Sequence, residues 1–242
     1  MAVFSSTAAI SIGWQTAKKN FKVLLTGTIL LMLCSYLPSL LAQLTKQGRA
    51  LESYAGAVGL YSFLGSLASL WISVGYIMVA DKLLQGQTVT TGNFFPNIQA
   101  VVRYFVSGLV VGLFMVLLVA VIGGVLAAGF LVKGLTAPII IISSVIALAV
   151  FILLLILSIR WSQVTYAAIL DQDWPLKTLK QSWHLTRGNF WSLIGFGILS
   201  GVVNLLGLIV FFVGLLWTIP TTLIASVYVF QQLKKGQFNE TK

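Results

Sequence analysis

Charged residues are scarce in this sequence. Only 8% of its 242 residues are Asp, Glu, Lys or Arg, whereas 58% are hydrophobic. A soluble globular domain normally carries about 25% charged residues. The shortage of charge therefore excludes an ordinary soluble domain and indicates an integral membrane protein.

Acids and histidines, which supply most catalytic and metal-binding side chains, are nearly absent. The chain contains only Glu52, Asp81, Asp171, Asp173, Glu240 and His184. Catalysis needs a nucleophile with a base, a pair of carboxylates or a set of metal ligands. We interpret Asp171 and Asp173 as helix-capping residues, His184 as a solvated interfacial residue, and Asp81 as the partner of Lys82 at a span end. The sequence therefore predicts no enzymatic activity, no cofactor and no metal.

The interiors of the apolar runs contain no charged side chain. A charged residue at the bilayer centre costs about 2.5 to 3.5 kcal/mol or more and is kept there for function, so its absence disfavours ion-coupled transport. Asn204 is the most deeply placed polar residue. It predicts either a hydrogen bond between helices or a polar contact for a neutral substrate. The single cysteine, Cys34, excludes an internal disulfide and a cysteine-cluster metal site.

The long apolar runs that are present predict six transmembrane helices. These runs cover residues 23–45, 53–80, 104–132, 134–159 and 188–233. Each of the first four is long enough for one span of about 20 residues. The last is about twice that length and contains Gly207 and Gly214, so we divide it into two spans with a turn at 211–215.

Lysine and arginine set the predicted orientation, because these residues accumulate in short loops on the cytoplasmic side. With the N-terminus inside, most basic residues fall on the inner side: Lys18, Lys19, Lys22, Lys82, Arg103, Arg160, Lys177, Lys180, Arg187, Lys234, Lys235 and Lys242. The outer side holds Lys46, Arg49 and Lys133. Both termini are therefore predicted to be cytoplasmic. The net charge of +10 lies beside span ends, which fits anionic lipid and not nucleic acid.

The longest polar interval, residues 171–191, predicts a helix on the membrane surface. Pro175 suits a first turn, and Gly188 suits the left-handed position after the last turn, from which Asn189 can cap the next helix. The helical period places basic residues on one face at Lys177, Lys180, His184 and Arg187. The neighbouring face holds Leu176, Leu179, Trp183, Thr186 and Phe190. Such paired faces are typical of a helix in the headgroup layer of an anionic membrane.

A second segment, residues 11–21, aligns with this helix, and each of the two precedes a pair of spans. Trp14 falls on Trp183 and Phe21 on Phe190. The apolar spacing recurs before the third span, at Phe94, Ile98, Val101 and Phe105. Any amphipathic helix shows such spacing, which is the alternative interpretation. We predict three repeats of surface helix, span, outer turn and span within one membrane domain (1–242), at residues 5–87, 88–173 and 174–237.

Residues 182–191 (SWHLTRGNFW), with Arg160 before them and Pro220 and Tyr228 in the last span, carry a family resemblance. The chain resembles bacterial six-helix inner-membrane proteins of unknown function related to the membrane domain fused to some glycerophosphoryl diester phosphodiesterases. The resemblance implies an all-α fold of six spans in the bacterial inner membrane. It transfers no catalytic residue, because in the fused enzymes the chemistry belongs to a separate soluble domain.

The predicted function is that of a non-catalytic membrane scaffold or accessory subunit, which binds lipid or protein partners at the inner leaflet. Anionic headgroups, a membrane protein or a second copy of the chain are the expected partners. The residues predicted to make these contacts are Lys18, Arg103, Arg160, Lys177, Lys180, Trp183 and Arg187. Arg103 and Arg160 stand at inner span ends, where they either clamp a lipid phosphate or simply reach the headgroups.

The alternative function is a permease or flippase-like carrier of a neutral or lipidic substrate, with Asn204 and Pro220 in the interior of the bundle. Pairs of small residues one turn apart, such as Gly108 with Gly112 and Gly197 with Gly201, allow helix backbones to approach closely. They predict internal packing or, alternatively, an interface between copies of the chain.

Overall fold

The computed structural model describes residues 3–47, 55–133, 137–209 and 213–240, and within these ranges it contains helices and no strand. The α-helices are α1 (Ser6–Lys19), α2 (Phe21–Gln47), α3 (Ala55–Leu84), α4 (Ile98–Lys133), α5 (Ala137–Arg160), α6 (Val164–Leu170), α7 (Pro175–Thr186), α8 (Phe190–Ile209) and α9 (Leu215–Glu240). A 3₁₀ helix, Thr91–Phe94, precedes α4. The predicted outer turns lie partly outside the described residues.

Four of the described helical segments are long and apolar enough to cross a membrane. They are Gly59–Leu84 in α3, Thr91–Ala120 at the start of α4, Ser144–Leu170 across α5 and α6, and Phe190–Ile209, which is α8. A fifth is added if α1 and α2, which meet at 99°, are counted as one broken span. The all-α membrane architecture is therefore as predicted, while the number of six spans stays a prediction.

Helix α9 is the most enclosed long helix of the described structure, and it contacts α1, α2, α3, α7 and α8. Its interior residues are at most 2% exposed: Ile224, Ala225, Val227, Val229, Phe230 and Leu233. A helix covered by other helices does not have to present an apolar surface to lipid. The hydroxyl groups of Thr221, Thr222 and Ser226 bond within the helix, as Thr221 Oγ1 does to the Trp217 carbonyl at 2.8 Å. This enclosure explains how α9 can belong to a membrane bundle without the hydropathy of the four segments above.

Helix α1 lies along α9 and runs in the opposite direction. Its N-terminal end is at the last turns of α9, where a Cβ on Gly236 would touch the Val3 side chain. Its other end is at the first turns of α9, where the rings of Trp14 and Trp217 are 5.2 Å apart. The sequence predicts a surface helix here. The structure packs α1 along its length against α9, and the position of α1 relative to a membrane stays a prediction.

Small residues allow this close packing. Ala9, Gly13 and Ala17, each one turn apart, are the buried residues of α1. The backbone at Gly13 is so close to α9 that an added Cβ would overlap the Thr221 carbonyl oxygen and lie 3.2 Å from the Ala225 Cβ. The sequence predicts close packing through small residues one turn apart at the glycine pairs of the spans. The structure shows such packing in α1.

The hairpin of α2 and α3 is joined by a buried hydroxyl pair. The Tyr76 hydroxyl lies 2.9 Å from Thr28 Oγ1 and donates to the Leu24 carbonyl at 3.0 Å. The Phe94 ring, which is fully buried, packs 5.1 Å from the Tyr76 ring. Gly75 makes room for this segment, because a Cβ there would overlap the Phe94 backbone.

The surface helix predicted before the third span is not formed. The 3₁₀ helix ends at Phe94, and the Trp71 indole N–H then donates to the Pro96 carbonyl at 2.9 Å. Helix α4 begins at Ile98, after Asn97 Oδ1 accepts the Ala100 N–H at 3.0 Å. The apolar spacing alone indicates one continuous surface helix. Pro96 and the Asn97 cap instead separate a short buried turn from a long helix.

The glycine pairs of α4 and α8 do not mediate packing among the described residues. A Cβ added at Gly108, Gly112, Gly197 or Gly201 would have no heavy atom within 4 Å. The prediction of internal packing at these pairs is therefore wrong for the part of the chain described here, and the glycines lie on open helix surfaces.

The α1–α9 contact predicts that Gly13→Ala destabilises the protein by about 1–3 kcal/mol, because the new methyl group has to displace backbone of α9. The midpoint of thermal unfolding in detergent should fall. The control is Gly112→Ala, which adds the same methyl group to an open helix surface and should leave the midpoint unchanged or raise it. Equal midpoints for the two variants would contradict this packing.

Candidate functional site

Helix α7 begins and ends where the sequence predicts. Pro175 is its first residue, and Gly188 follows it with φ +84, the left-handed conformation that stops the helix. Asn189 has a different partner from the one predicted: its Oδ1 accepts the Val3 N–H at 3.2 Å. The side chain thus ties the N-terminal segment of the chain to the α7–α8 turn.

Hydroxyl groups attach α7 to the end of α5. Ser182 Oγ donates to the Arg160 carbonyl at 2.7 Å and accepts the Gln163 N–H at 3.2 Å. Thr178, Ser182 and Thr186 are fully buried. One small serine therefore satisfies two backbone groups that the end of α5 leaves without helical partners.

This docking differs from the predicted division of α7 into faces. Leu176 is 75% exposed and Trp183 45% exposed, whereas Thr186, assigned to the same face, is fully buried. The buried residues of α7 are Pro175, Thr178, Ser182, Leu185 and Thr186, so three of the five carry small hydroxyl side chains. Leu176 and Trp183 instead point away from the protein, next to the basic residues.

The outward face of α7 combines positive charge with indole rings. We call the exposed residues Lys177, Lys180, Trp183, His184 and Arg187 the α7 surface. Trp174 just before the helix and Trp191 just after it are 61% and 79% exposed. Tryptophans beside lysine and arginine are typical of the boundary between the hydrocarbon and the headgroups of a membrane.

Arg160 belongs to the same region. Its guanidinium carbon lies 5.2 Å from the centre of the Trp183 ring and 5.6 Å from that of Phe190. Its Nη1 is buried without a hydrogen-bond partner among the described residues, and so is Nε of Arg103 in α4. The structure therefore joins Arg160 to Trp183, while no described contact joins Arg103 to either of them.

The described carboxylates bind side chains of Lys or Gln. Asp171 is paired with Lys234 and accepts from Gln181 at 2.5 Å, and Asp173 pairs with Lys177 at 2.6 Å. Neither caps α7, because the N-cap residue is Trp174. These acids were predicted to cap the helix, and their actual role is to hold α7 to α9 and to neutralise one of its lysines.

Asp81 of α3 has partners other than the predicted Lys82. It accepts from Gln231 of α9 at 2.7 Å and from Gln85 at 2.6 Å. Within the described residues, no group of three His, Cys, Asp or Glu side chains is placed to hold a metal ion.

Two depressions flank the α7 surface. A cavity of about 310 Å³ lies between α7 and the last turns of α9 and is lined in part by His184, Arg187 and Asn189. A wider groove of about 590 Å³ on the other side is lined by Asp171, Asp173, Lys177, Lys180, Gln181, His184 and Lys234. Basic groups thus line concave surfaces as well as the exposed helix face.

Lys18, one of the residues predicted for the site, lies elsewhere. Lys18, exposed near the end of α1, lies between Trp14 and Phe21, whose rings both contact Trp217. Trp217 is 19 residues before Gly236, about 28 Å along α9. Lys18 is therefore far from the α7 surface, which adjoins the last turns of α9.

Asn204 of α8 forms the interhelical hydrogen bond that is one of its two predicted roles. Its Nδ2 donates to Thr222 Oγ1 of α9 at 3.3 Å. Pro220 is buried in α9, two residues before Thr222. The Asn204–Thr222 bond thus contributes to the contact between α8 and α9.

The family described as a domain of unknown function (DUF7847) matches residues 6–237. The chain belongs to this family. No curated protein and no solved structure matches the chain. Because the DUF7847 match begins in α1 and ends in α9, it covers the α7 surface and both helices that bound it. The wider resemblance to membrane domains of phosphodiesterases, and the bacterial origin, stay predictions.

Sequence reasoning did not find Ser182 and Gln163 as the residues that dock α7 in this DUF7847 chain. A signal for them exists in the sequence. Thr178, Ser182 and Thr186 repeat every four residues, which is the spacing of Ala9, Gly13 and Ala17 in α1. A stripe of small residues on an otherwise large-residue helix indicates the face that packs.

The docking of α7 predicts that Ser182→Ala lowers the free energy of unfolding by about 1–3 kcal/mol, since the Gln163 N–H and the Arg160 carbonyl lose a buried partner. Hydrogen exchange of the Gln163 amide should accelerate in the same variant. Ser66→Ala is the control, because Ser66 is exposed and bonds only to a carbonyl of its own helix. An unchanged Gln163 exchange rate in Ser182→Ala would contradict the docking.

Proposed function

We propose that this protein is a non-catalytic integral membrane protein whose α7 surface binds anionic lipid headgroups at the inner leaflet. The observation that carries the proposal is the orientation of α7. Its hydroxyl face is occupied by hydrogen bonds to the end of α5, so Lys177, Lys180 and Arg187 remain exposed beside Trp183. In this role the protein is a scaffold or accessory subunit that holds lipid, or a membrane-protein partner, at that surface.

The charge on the α7 surface is sufficient for lipid binding. A basic residue near an anionic membrane contributes about 1 kcal/mol, so three contribute about 3 kcal/mol. The ion pair of Lys177 with Asp173 reduces this total by up to about 1 kcal/mol. The remaining 2 to 3 kcal/mol corresponds to about a 30- to 150-fold preference for anionic over neutral lipid.

A structural role for the acids supports the non-catalytic part of the proposal. Asp81 and Asp171 each bind a side chain of α9, namely Gln231 and Lys234. Both acids stand five residues after a tyrosine, in Tyr76–Asp81 and Tyr166–Asp171. We infer that these carboxylates fasten the ends of two helices to a third, and we assign no reaction to them.

We infer six spans with both termini on the cytoplasmic side of a bacterial inner membrane. The antiparallel pairs α2–α3, α4–α5 and α8–α9 support this topology. Helix α1 does not support it, because α1 runs along α9 to the opposite end of that helix and so places Lys18 and the start of α2 there. Contacts at Asp81, Asp171 and Asn189 bring the ends of α3, α6 and α7 to one end of α9. Arg160, Lys177, Lys180, Arg187, Lys234 and Lys235 lie in the same region, and such an accumulation of basic residues marks the cytoplasmic side.

The inference of three repeats is supported by the register of α1 and α7. Aligning Trp14 with Trp183 places the buried residues on one another, as Ala9 on Thr178, Gly13 on Ser182 and Ala17 on Thr186. Each entry segment also packs on the last helices of the preceding repeat. Helix α1 lies on α9, the 3₁₀ helix on α3, and α7 on the junction of α5 and α6. A cyclic arrangement of three related units accounts for these pairings.

The alternative function, a carrier with Asn204 and Pro220 at its substrate site, has less support. Asn204 is hydrogen-bonded to Thr222, and Pro220 is buried in the helix that carries it. We therefore assign neither residue a substrate contact.

The proposed function predicts that Lys177→Gln, Lys180→Gln and Arg187→Gln together weaken the binding of dioleoylphosphatidylglycerol by about 30- to 150-fold at low salt. Native mass spectrometry of the detergent-solubilised protein, titrated with this lipid, measures the apparent Kd. Dioleoylphosphatidylcholine should bind equally weakly to both proteins, because it carries no net charge.

The matched control exchanges the same residues and keeps their charge, as Lys177→Arg, Lys180→Arg and Arg187→Lys. It should bind the anionic lipid like the unchanged protein. Full retention of anionic lipid by the glutamine variant would refute the proposal, and so would equal affinity of the unchanged protein for the two lipids.

A further inference from the structure

A second cavity lies on the other side of the α5–α7 junction, between α5, α6, α8 and α9. Its volume of about 310 Å³ is at the lower end of the range of about 300–1,000 Å³ that is usual for small-molecule sites. The polar part of its wall consists of Ser158, Ser162, Gln163, Tyr166, Ser200 and Ser226. None of the described residues that line it is charged, so the cavity suits a neutral group.

Two polar atoms in this wall have no hydrogen-bond partner among the described residues. Gln163 is only 5% exposed, and its Oε1 is buried and unpartnered, while its Nε2 donates to Ser162 Oγ at 3.0 Å. Ser200 Oγ is also buried and unpartnered. A buried polar atom without a partner costs about 1–3 kcal/mol, which a ligand can recover by bonding to it.

The other serines are already committed as donors. Ser158 and Ser226 each donate to a carbonyl of their own helix, and Ser162, just after α5, donates to the Ile159 carbonyl, all at 2.8 Å. The unfilled positions are therefore the acceptor Oε1 of Gln163 and the hydroxyl of Ser200. An aliphatic hydroxyl satisfies both, because it donates through its hydrogen and accepts through its oxygen.

The cavity opens between two helices whose outer surfaces are apolar. Ser158 of α5 and Gly197 of α8 are exposed cavity residues, and their neighbours Leu155 and Ile198 are 47% and 64% exposed. Both helices belong to segments able to cross a membrane. Ile159, Leu193 and Phe196 add an apolar wall. A ligand that enters from the side would thus keep its hydrocarbon part in lipid and insert its polar end.

We propose that this cavity binds the neutral hydroxyl end of a lipid, with Gln163 Oε1 as the acceptor of the lipid hydroxyl. The shared chemistry is an aliphatic hydroxyl attached to acyl chains. Diacylglycerol supplies it directly, and phosphatidylglycerol supplies it through its headgroup. The proposal is separate from that for the α7 surface, which recognises charge.

Native mass spectrometry with dioleoylglycerol tests the site. The unchanged protein should retain one molecule, and Gln163→Leu should weaken binding about fivefold, the effect of one lost neutral hydrogen bond. Gly197→Leu should abolish retention, because its side chain occupies the mouth of the cavity. Gly201→Leu is the matched control: it lies one turn further on α8, has the same open surroundings, does not line the cavity, and should bind normally.

A parallel titration with dioleoylphosphatidylglycerol uses protein that already carries Lys177→Gln, Lys180→Gln and Arg187→Gln. Binding there that depends on Gln163 would also support the hydroxyl site and would identify the headgroup as the source of the hydroxyl. The proposal is overturned if neither lipid is retained better than dioleoylphosphatidylcholine. It is likewise overturned if Gly197→Leu and Gly201→Leu bind equally. The variants at Gln163, Gly197 and Gly201 leave the α7 charges in place, whereas the triple glutamine variant removes them. The failure of one site is therefore distinguishable from the failure of the other.

Discussion

Two polar contacts tie the ends of α3 and α6 to the last turns of α9. Asp81 at the end of α3 binds Gln231, and Asp171 after α6 binds Lys234. A chain with only five acidic residues uses two of them here. Removing either acid would leave a polar group of α9 without its partner in a partly buried place, which costs more than an exposed ion pair contributes. The ends of three helices are thereby fixed relative to one another, and Asp171 also holds α7 through Gln181.

The enclosure of α9 also explains the unusual composition of that helix. Lipid-facing helices here, such as α5 and α8, expose leucine, isoleucine and phenylalanine. Helix α9 is covered instead, partly by the small residues of α1, and it can carry Thr221, Ser226 and Gln231 within the bundle. Hydropathy measures the affinity of a segment for lipid and therefore understates a helix whose neighbours are protein.

Local features of the sequence predicted local structure well. Pro175 and Gly188 gave the start and the stop of α7, because both act through their own backbone conformation. The all-α membrane architecture followed from the apolar runs in the same way. What the sequence could not give was the partner of each face. The hydroxyl stripe with Ser182, the packing of α1 on α9 and the unpartnered Gln163 depend on residues that are distant in the chain, and spacing within one helix does not identify them.

The central claim is that α7 lies at the cytoplasmic face of the membrane with its basic surface toward the inner leaflet. Cys34 is the only cysteine, so Cys34→Ser gives a background for single cysteines at Lys180 and, as the outer control, at Lys133. A membrane-impermeant maleimide is then applied to intact cells and to inverted membrane vesicles. The account predicts that Lys180→Cys reacts only in inverted vesicles and Lys133→Cys only in intact cells. Reaction of Lys180→Cys in intact cells would contradict it.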